Sequence, residues 1–195
     1  MAPSTREPRG VTLACHPDTR GEAVRGVAAR IRRTEGGTLA LRYVIEADLG
    51  RLKIPPHTAT RVGEQLWQHT CCEIFIACDG QAAYHEFNFA PSGAWAAYAF
   101  TRYREGAPLA ASLPHLPLVP EVTVRNAGNQ LELDTLIHLD RLSPLHARAK
   151  LSLAVSTVIE DRDGGLSYWA LRHPPGRPDF HHPDAFALKL DEVRH

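Results

Sequence analysis

The chain has 195 residues, 44% of them apolar and 23% charged, ordinary proportions for a folded protein with a substantial core. Its 22 basic and 22 acidic side chains cancel, so nothing draws it electrostatically to nucleic acid or to a membrane surface. The balance is uneven along the chain: eleven Lys and Arg meet six Asp and Glu up to Arg61, and eleven meet sixteen beyond it. Complementary faces of one domain spanning residues 1–195 account for that. No apolar run is long enough to span a bilayer, and MAPSTREPRG lacks the apolar segment of a secretory leader. A cytoplasmic location is expected, where disulfides seldom persist. The four cysteines agree: Cys15 stands alone, and Cys71, Cys72 and Cys78 cluster without a CxxC pair, as small buried hydrophobes do.

In chain order, Val11 to Cys15 reads as a short strand ended by His16-Pro17-Asp18. Val24 to Arg33 follows, with Val27, Ala29 and Ile31 on one face and Arg30 and Arg32 on the other. Glu35-Gly36-Gly37 turns it into Thr38 to Leu49, where Leu39, Leu41, Tyr43, Ile45 and Ala47 alternate with polar residues. Period two over that length marks a half-buried antiparallel strand. A loop from Ile54 to about Leu66 carries Pro55 and Pro56, which exclude regular pairing. Leu66 to Phe100 then reads as two strands around Asp79-Gly80 and a third after Pro91-Ser92-Gly93. Glu105 to Pro120 is irregular and proline-rich, the composition of a rim or lid. Glu121–Arg125 and Gln130–Leu139 make a hairpin, with Leu131, Leu133, Thr135 and Ile137 inward. Asp140 to Lys150 holds one short helical turn. Leu151–Glu160 and Leu166–Arg172 are paired strands, a loop spans His173 to Pro183, and Ala185 to Leu190 is the last strand. Roughly ten short strands with regular turn signals predict an all-β, antiparallel β-sandwich of immunoglobulin or jelly-roll type. No 3.6-period segment is long enough to supply parallel crossovers.

Chemistry concentrates in Leu66 to Phe100. Asp-Gly between two strand-like runs is a strong hairpin signal, because both residues tolerate positive φ. An even loop places Glu73 on the face of Glu86 and Asn88, and puts Cys72, Ile74, Ile76 and Cys78 with His85, Phe87 and Phe89. An odd loop inverts this and buries unpaired charge, so the even one is expected. Trp67 then stands at the rim of the polar face. An indole beside carboxylates and an amide suits a polyhydroxylated ligand: the C–H face of a sugar packs on the ring, and its hydroxyls donate to carboxylate and accept from amide. In the competing reading Trp67 caps the sandwich and the two glutamates pair with surface arginines.

The run Trp67 to Ile76, WQHTCCEIFI, resembles the W-x-x-x-x-x-E-I-F segment of family 9 carbohydrate-binding modules. Tyr84 to Gly93 is similar to their next strand, and Ser167-Tyr168-Trp169 with Phe180 to Phe186 to their closing segment. The resemblance covers the chain from about Arg42 onward and extends to the bacterial proteins called DOMON-like, a branch of the same superfamily. It implies a sandwich that binds the end of a glycan between two aromatic side chains. The family's first tryptophan falls on Trp67, its carboxylate on Glu73 and its second stacking aromatic on Trp169. A position that is arginine in some members falls on Asn88. DOMON-type relatives also bind haem through methionine and histidine, but Met1 is the only methionine and no CxxCH occurs, so no cofactor is expected.

The expectation is therefore non-catalytic binding of a carbohydrate or similar polar ligand by Trp67, Glu73, Glu86, Asn88 and Trp169. Two rivals stand beside it. Glu73 and Glu86 on one face could serve as acid and nucleophile of a glycoside hydrolase. Alternatively, His173, His181 and His182 with Asp179 and Asp184 could hold a metal. The spacing fits no metal motif, and adjacent His181 and His182 point opposite ways on extended chain, so a structural loop is expected.

Overall fold

The computed structural model describes residues 7–19, 21–34, 36–109 and 120–193. The strands are β1 (Arg9–Cys15), β2 (Val24–Arg33), β3 (Thr38–Ala47), β4 (Arg61–Val62), β5 (Cys71–Cys78), β6 (Tyr84–Phe89), β7 (Ala94–Arg102), β8 (Glu105–Pro108), β9 (Glu121–Ala127), β10 (Gln130–His138), β11 (Leu151–Glu160), β12 (Leu166–Ala170) and β13 (Leu188–Leu190). One α-helical turn, α1 (Pro144–Arg148), starts at Pro144 behind Ser143, whose Oγ caps it by accepting from His146 N.

These strands form one curled sheet in the order β4-β7-β6-β5-β11-β12-β1-β2-β3-β10-β9, with β8 on β7 and β13 on β11. Every pairing is antiparallel except β4 with β7. The fold-over occurs at β1. Arg9 to Leu13 pairs with β2, whereas Ala14 and Cys15 pair with Ala170 and Trp169 of β12. The two halves thus face each other, and a core including Ile31, Tyr43, Ile45, Leu133, Ile74, Phe87, Phe89 and Leu153 fills the space between. Tyr43 crosses it, its hydroxyl donating to the Glu73 carbonyl at 2.7 Å.

The all-β architecture agrees with the periodicity, and the predicted inward residues of β3 and β10 are all buried. Their outer faces are polar, with Arg42 paired to Asp134 at 2.6 Å and Arg125 to Glu132 at 3.0 Å. That solvated face is why the alternation is clean in this half. The two strands not expected, β4 and β8, are short. β4 lies in the expected loop and pairs with β7 beside Gly93, whose φ of 88° and close approach to the Thr58 carbonyl leave no room for a Cβ. β8 begins the stretch expected to be irregular, folding back on β7; residues 110–119 of that stretch lie outside the described ones. The last strand starts at Leu188 rather than Ala185, because Pro183–Ala185 forms a 3₁₀ turn that His182 caps.

The β5–β6 hairpin has the expected parity. Pairing stops at Ala77 and Tyr84, leaving six residues between, and Gly80 takes φ 80°. Unlike the first half, β5 and β11 are buried along their whole length, on both faces. The outer cover is the C-terminal segment 171–187, whose Phe180, Ala185 and Phe186 pack with Phe75, Ala77, Tyr84 and Val158 in a second cluster.

Candidate functional site

On that outer face, cross-strand register builds a floor in rows. Ser156, Glu73 and Asn88 lie side by side across β11, β5 and β6. The next row is Ala154, Phe75, Glu86 and Tyr98, the last on β7. Glu73 and Glu86 are therefore diagonal neighbours, not the directly opposed pair that would bring carboxyls closest. Above the floor is a cavity of about 330 Å³ lined by Trp67, Glu73, Phe75, Glu86, Tyr98, Phe100, Arg104, Val158, Tyr168, Pro178, Phe180 and His181.

Trp67 sits at its mouth on a 3₁₀ turn, Leu66–Gln68, entered through Gln65 at φ 51°. It is 41% exposed and meets Tyr98 edge-on, ring centroids 5.7 Å apart. The chain around it is tied down. Gly63 N donates to the Trp95 carbonyl, and Thr70 Oγ1 donates to the Lys53 carbonyl at 3.2 Å. Glu160 receives both His69 Nδ1 at 2.7 Å and Lys53 Nζ at 2.8 Å.

The floor carboxyls are buried, with Glu73 at 2% and Glu86 at 6% exposure. They share a face with Asn88, as the even loop requires, but that face is not open to solvent. Glu73 accepts from Ser156 Oγ at 3.4 Å through one oxygen, and its Oε1 has no protein partner. Burial, then the neighbouring Glu86, pushes its pKa well above the usual carboxylate range. Burial also raises Glu86, to about 7, against the opposing pull of a 2.7 Å hydrogen bond from Asn88 Nδ2 and of the Arg104 charge. Asn88 is fully buried beneath, positions Glu86, and leaves its own Oδ1 without a protein partner.

The roof is held by polar links. Arg104, at φ 56° in the β7–β8 turn, pairs with Asp179 at 2.8 Å, and Tyr103 donates to the same carboxylate at 2.6 Å. His181 Nδ1 lies 2.8 Å from the Tyr84 hydroxyl and Nε2 3.7 Å from Glu86. Burial, then Arg104, lowers the His181 pKa to about 4. His182 faces outward, where its Nδ1 accepts from Asp184 N. Among the described residues no group of three or more His, Cys, Asp or Glu is arranged to hold a metal. Burial pushes the Cys72 thiol up to about 12, which leaves it a packing residue.

Of the expected residues, Trp67, Glu73 and Glu86 line one cavity, and Asn88 supports it from below. Trp169 does not line it. Its indole belongs to the core between the sheet halves, donates to Ser167 Oγ at 3.0 Å and covers Gly21. Tyr168, one residue earlier and so on the opposite face, supplies the ring on that side of the cavity. Leu166, Tyr168 and Ala170 alternate with Ser167 and Trp169, leaving no clear hydrophobic side to read. Phe75 and Tyr98 follow from the register of Glu73 and Glu86, whereas Arg104, Phe180 and His181 arrive through loops.

No family model and no curated protein matches the sequence. Among solved structures, the chain is similar to a Bacteroides uniformis protein provisionally described as carbohydrate-binding. The TM-score is 0.62 at 14% identity, over 91% of this chain and 82% of that one. That likeness shows a common fold. Two structures of a family 9 carbohydrate-binding module from Caldicellulosiruptor kristjanssonii also align. The glucose complex does so at 8% identity, TM-score 0.49, over 82% of this chain and 72% of that one. The cellotriose complex does so at 9% identity, TM-score 0.48, over 85% and 75%.

Proposed function

We propose that the outer-face cavity binds a saccharide without transforming it, on a DOMON-like variant of the family 9 carbohydrate-binding-module scaffold. The observation that carries this reading is one cavity of about 330 Å³ with two carboxyls on its floor and aromatic rings around it. Trp67, Tyr98 and Tyr168 present apolar ring surface for sugar C–H groups, and Glu73 and Glu86 present acceptors for hydroxyls. The volume is of the order of a small-molecule pocket, matched to a few sugar rings at most. Fold similarity to a protein described as carbohydrate-binding supports the same class of ligand.

The glutamate pair also admits a second reading, hydrolysis of a glycosidic bond, because its two members are held away from ordinary carboxylate behaviour. Both rise from adjacent strands of one wall, however, rather than flanking a bond from two sides. Binding is therefore the better fit. Glycan-array screening followed by calorimetric titration tests it. Trp67→Ala is expected to weaken binding at least tenfold while melting stays within a few degrees, since the ring is already 41% exposed. Failure of the wild type to bind any saccharide removes the reading. Turnover of an aryl glycoside that disappears in both Glu73→Gln and Glu86→Gln would replace it with hydrolysis.

A further inference from the structure

The polar groups around this cavity are unequally free. Several polar groups are already engaged: Arg104 Nε with Tyr103 and Nη2 with Asp179, His181 Nδ1 with the Tyr84 hydroxyl, and Asn88 Nδ2 with Glu86. Trp67, Tyr98 and Tyr168 line it as well, carrying an indole N–H and two phenolic hydroxyls. At the floor, the buried groups without a protein partner are acceptors. Glu73 lines the cavity at only 2% exposure and its Oε1 has no protein partner; Asn88 Oδ1, buried beneath, also has none. A neutral sugar hydroxyl brings one donor and wants donors in return. An ammonium group brings three donors and accepts nothing.

Charge points the same way. Two carboxyls, Glu73 and Glu86, stand on the floor, and Arg104 is paired with Asp179. His181 is neutral at pH 7 because burial and Arg104 depress its pKa. Tyr84, Tyr98 and Cys71 beside the pair, and Tyr43 and Cys72 behind Glu73, are held in their uncharged forms by burial. Among the described residues, the Arg104 charge reaches the floor but is shared with Asp179, and the floor pair holds its proton. A cation seated between the two carboxyls can take that proton's place. The rings of Trp67, Tyr98 and Tyr168 offer their negative faces to the same charge.

We propose that the saccharide taken by this cavity is an amino sugar, its ammonium group seated on Glu73 and Glu86 and its ring against the surrounding aromatic side chains. The inference rests on the saccharide reading above and narrows it. The test is calorimetric titration of the full chain at pH 7 with gluco-, galacto- and manno-configured sugars, each with hydroxyl, acetamido or free amino at carbon 2. In a series that binds, the amine is expected to bind at least tenfold tighter than its hydroxyl and acetamido counterparts. Glu73→Gln is expected to reduce that ratio at least tenfold. Hydroxyl or acetamido sugars binding as tightly as the amine would overturn the proposal and leave saccharide binding standing. A preference unchanged by Glu73→Gln would overturn the assigned seat of the amine. Binding by no member of the panel would overturn both readings together.

Discussion

Glu73 and Glu86 show how burial changes what a carboxyl does. On an exposed strand face each would be ionised at pH 7. Here desolvation favours the neutral acid, so part of the protein's stability at low pH is lost as the pair ionises. The sign follows from a folded pKa above the unfolded one: the contribution is full below about 4.5 and disappears as pH rises through about 7 for Glu86. Unfolding in urea across that window should therefore show wild type losing ground to Glu86→Gln by up to about 3 kcal/mol. His85 and His181, both lowered to about 4, push the other way in both proteins, so the difference between the two is the informative quantity. A difference flat with pH would contradict the burial assigned to Glu86. Tyr43 allows a simpler test. Tyr43→Phe removes the hydroxyl that bonds the Glu73 carbonyl across the core, at an expected cost of about 1 kcal/mol by urea midpoint.

The segment 171–187 is what turns a sheet face into a cavity. It contributes only short 3₁₀ structure, and side-chain anchors hold it: Asp179 on Arg104 and Tyr103, His181 on Tyr84, and Phe180 and Phe186 in the outer cluster. Asp179→Ala removes two of those anchors together. Amide exchange in 173–186 should accelerate and, on the saccharide reading, affinity should fall, while global unfolding shifts by about 1 kcal/mol. Exchange confined to its wild-type rate would show that the apolar contacts suffice. The β5–β6 hairpin differs, because its face assignment follows from an even turn at Asp79-Gly80 and from which residues tolerate burial. That much of the site was readable: Glu73, Glu86 and Asn88 share a face as the alternation requires. Trp169 was not, because Ser167-Tyr168-Trp169 is mixed on both faces, and the indole went to the core while Tyr168 faced the cavity.

The two sheet halves depend on a common core, so damage there is felt everywhere. Phe87, fully buried among residues from both halves, should cost about 3–5 kcal/mol as Phe87→Ala, measured by denaturant or thermal unfolding. A loss below 1 kcal/mol would mean that the halves do not share one core. Periodicity of two, turn residues and the absence of helical pattern were enough to determine an all-β chain, most strand positions and the face each hairpin residue takes. They could do so because those properties are local: a pleat alternates, and a turn sets parity. Whether a face is open or covered is not local. The outer face of β5 is closed by residues around Phe180, far along the chain, and no alternation within β5 records that. Burial of the two glutamates, the approach of His181 and the pairing of Arg104 with Asp179 beside them follow from that long-range contact.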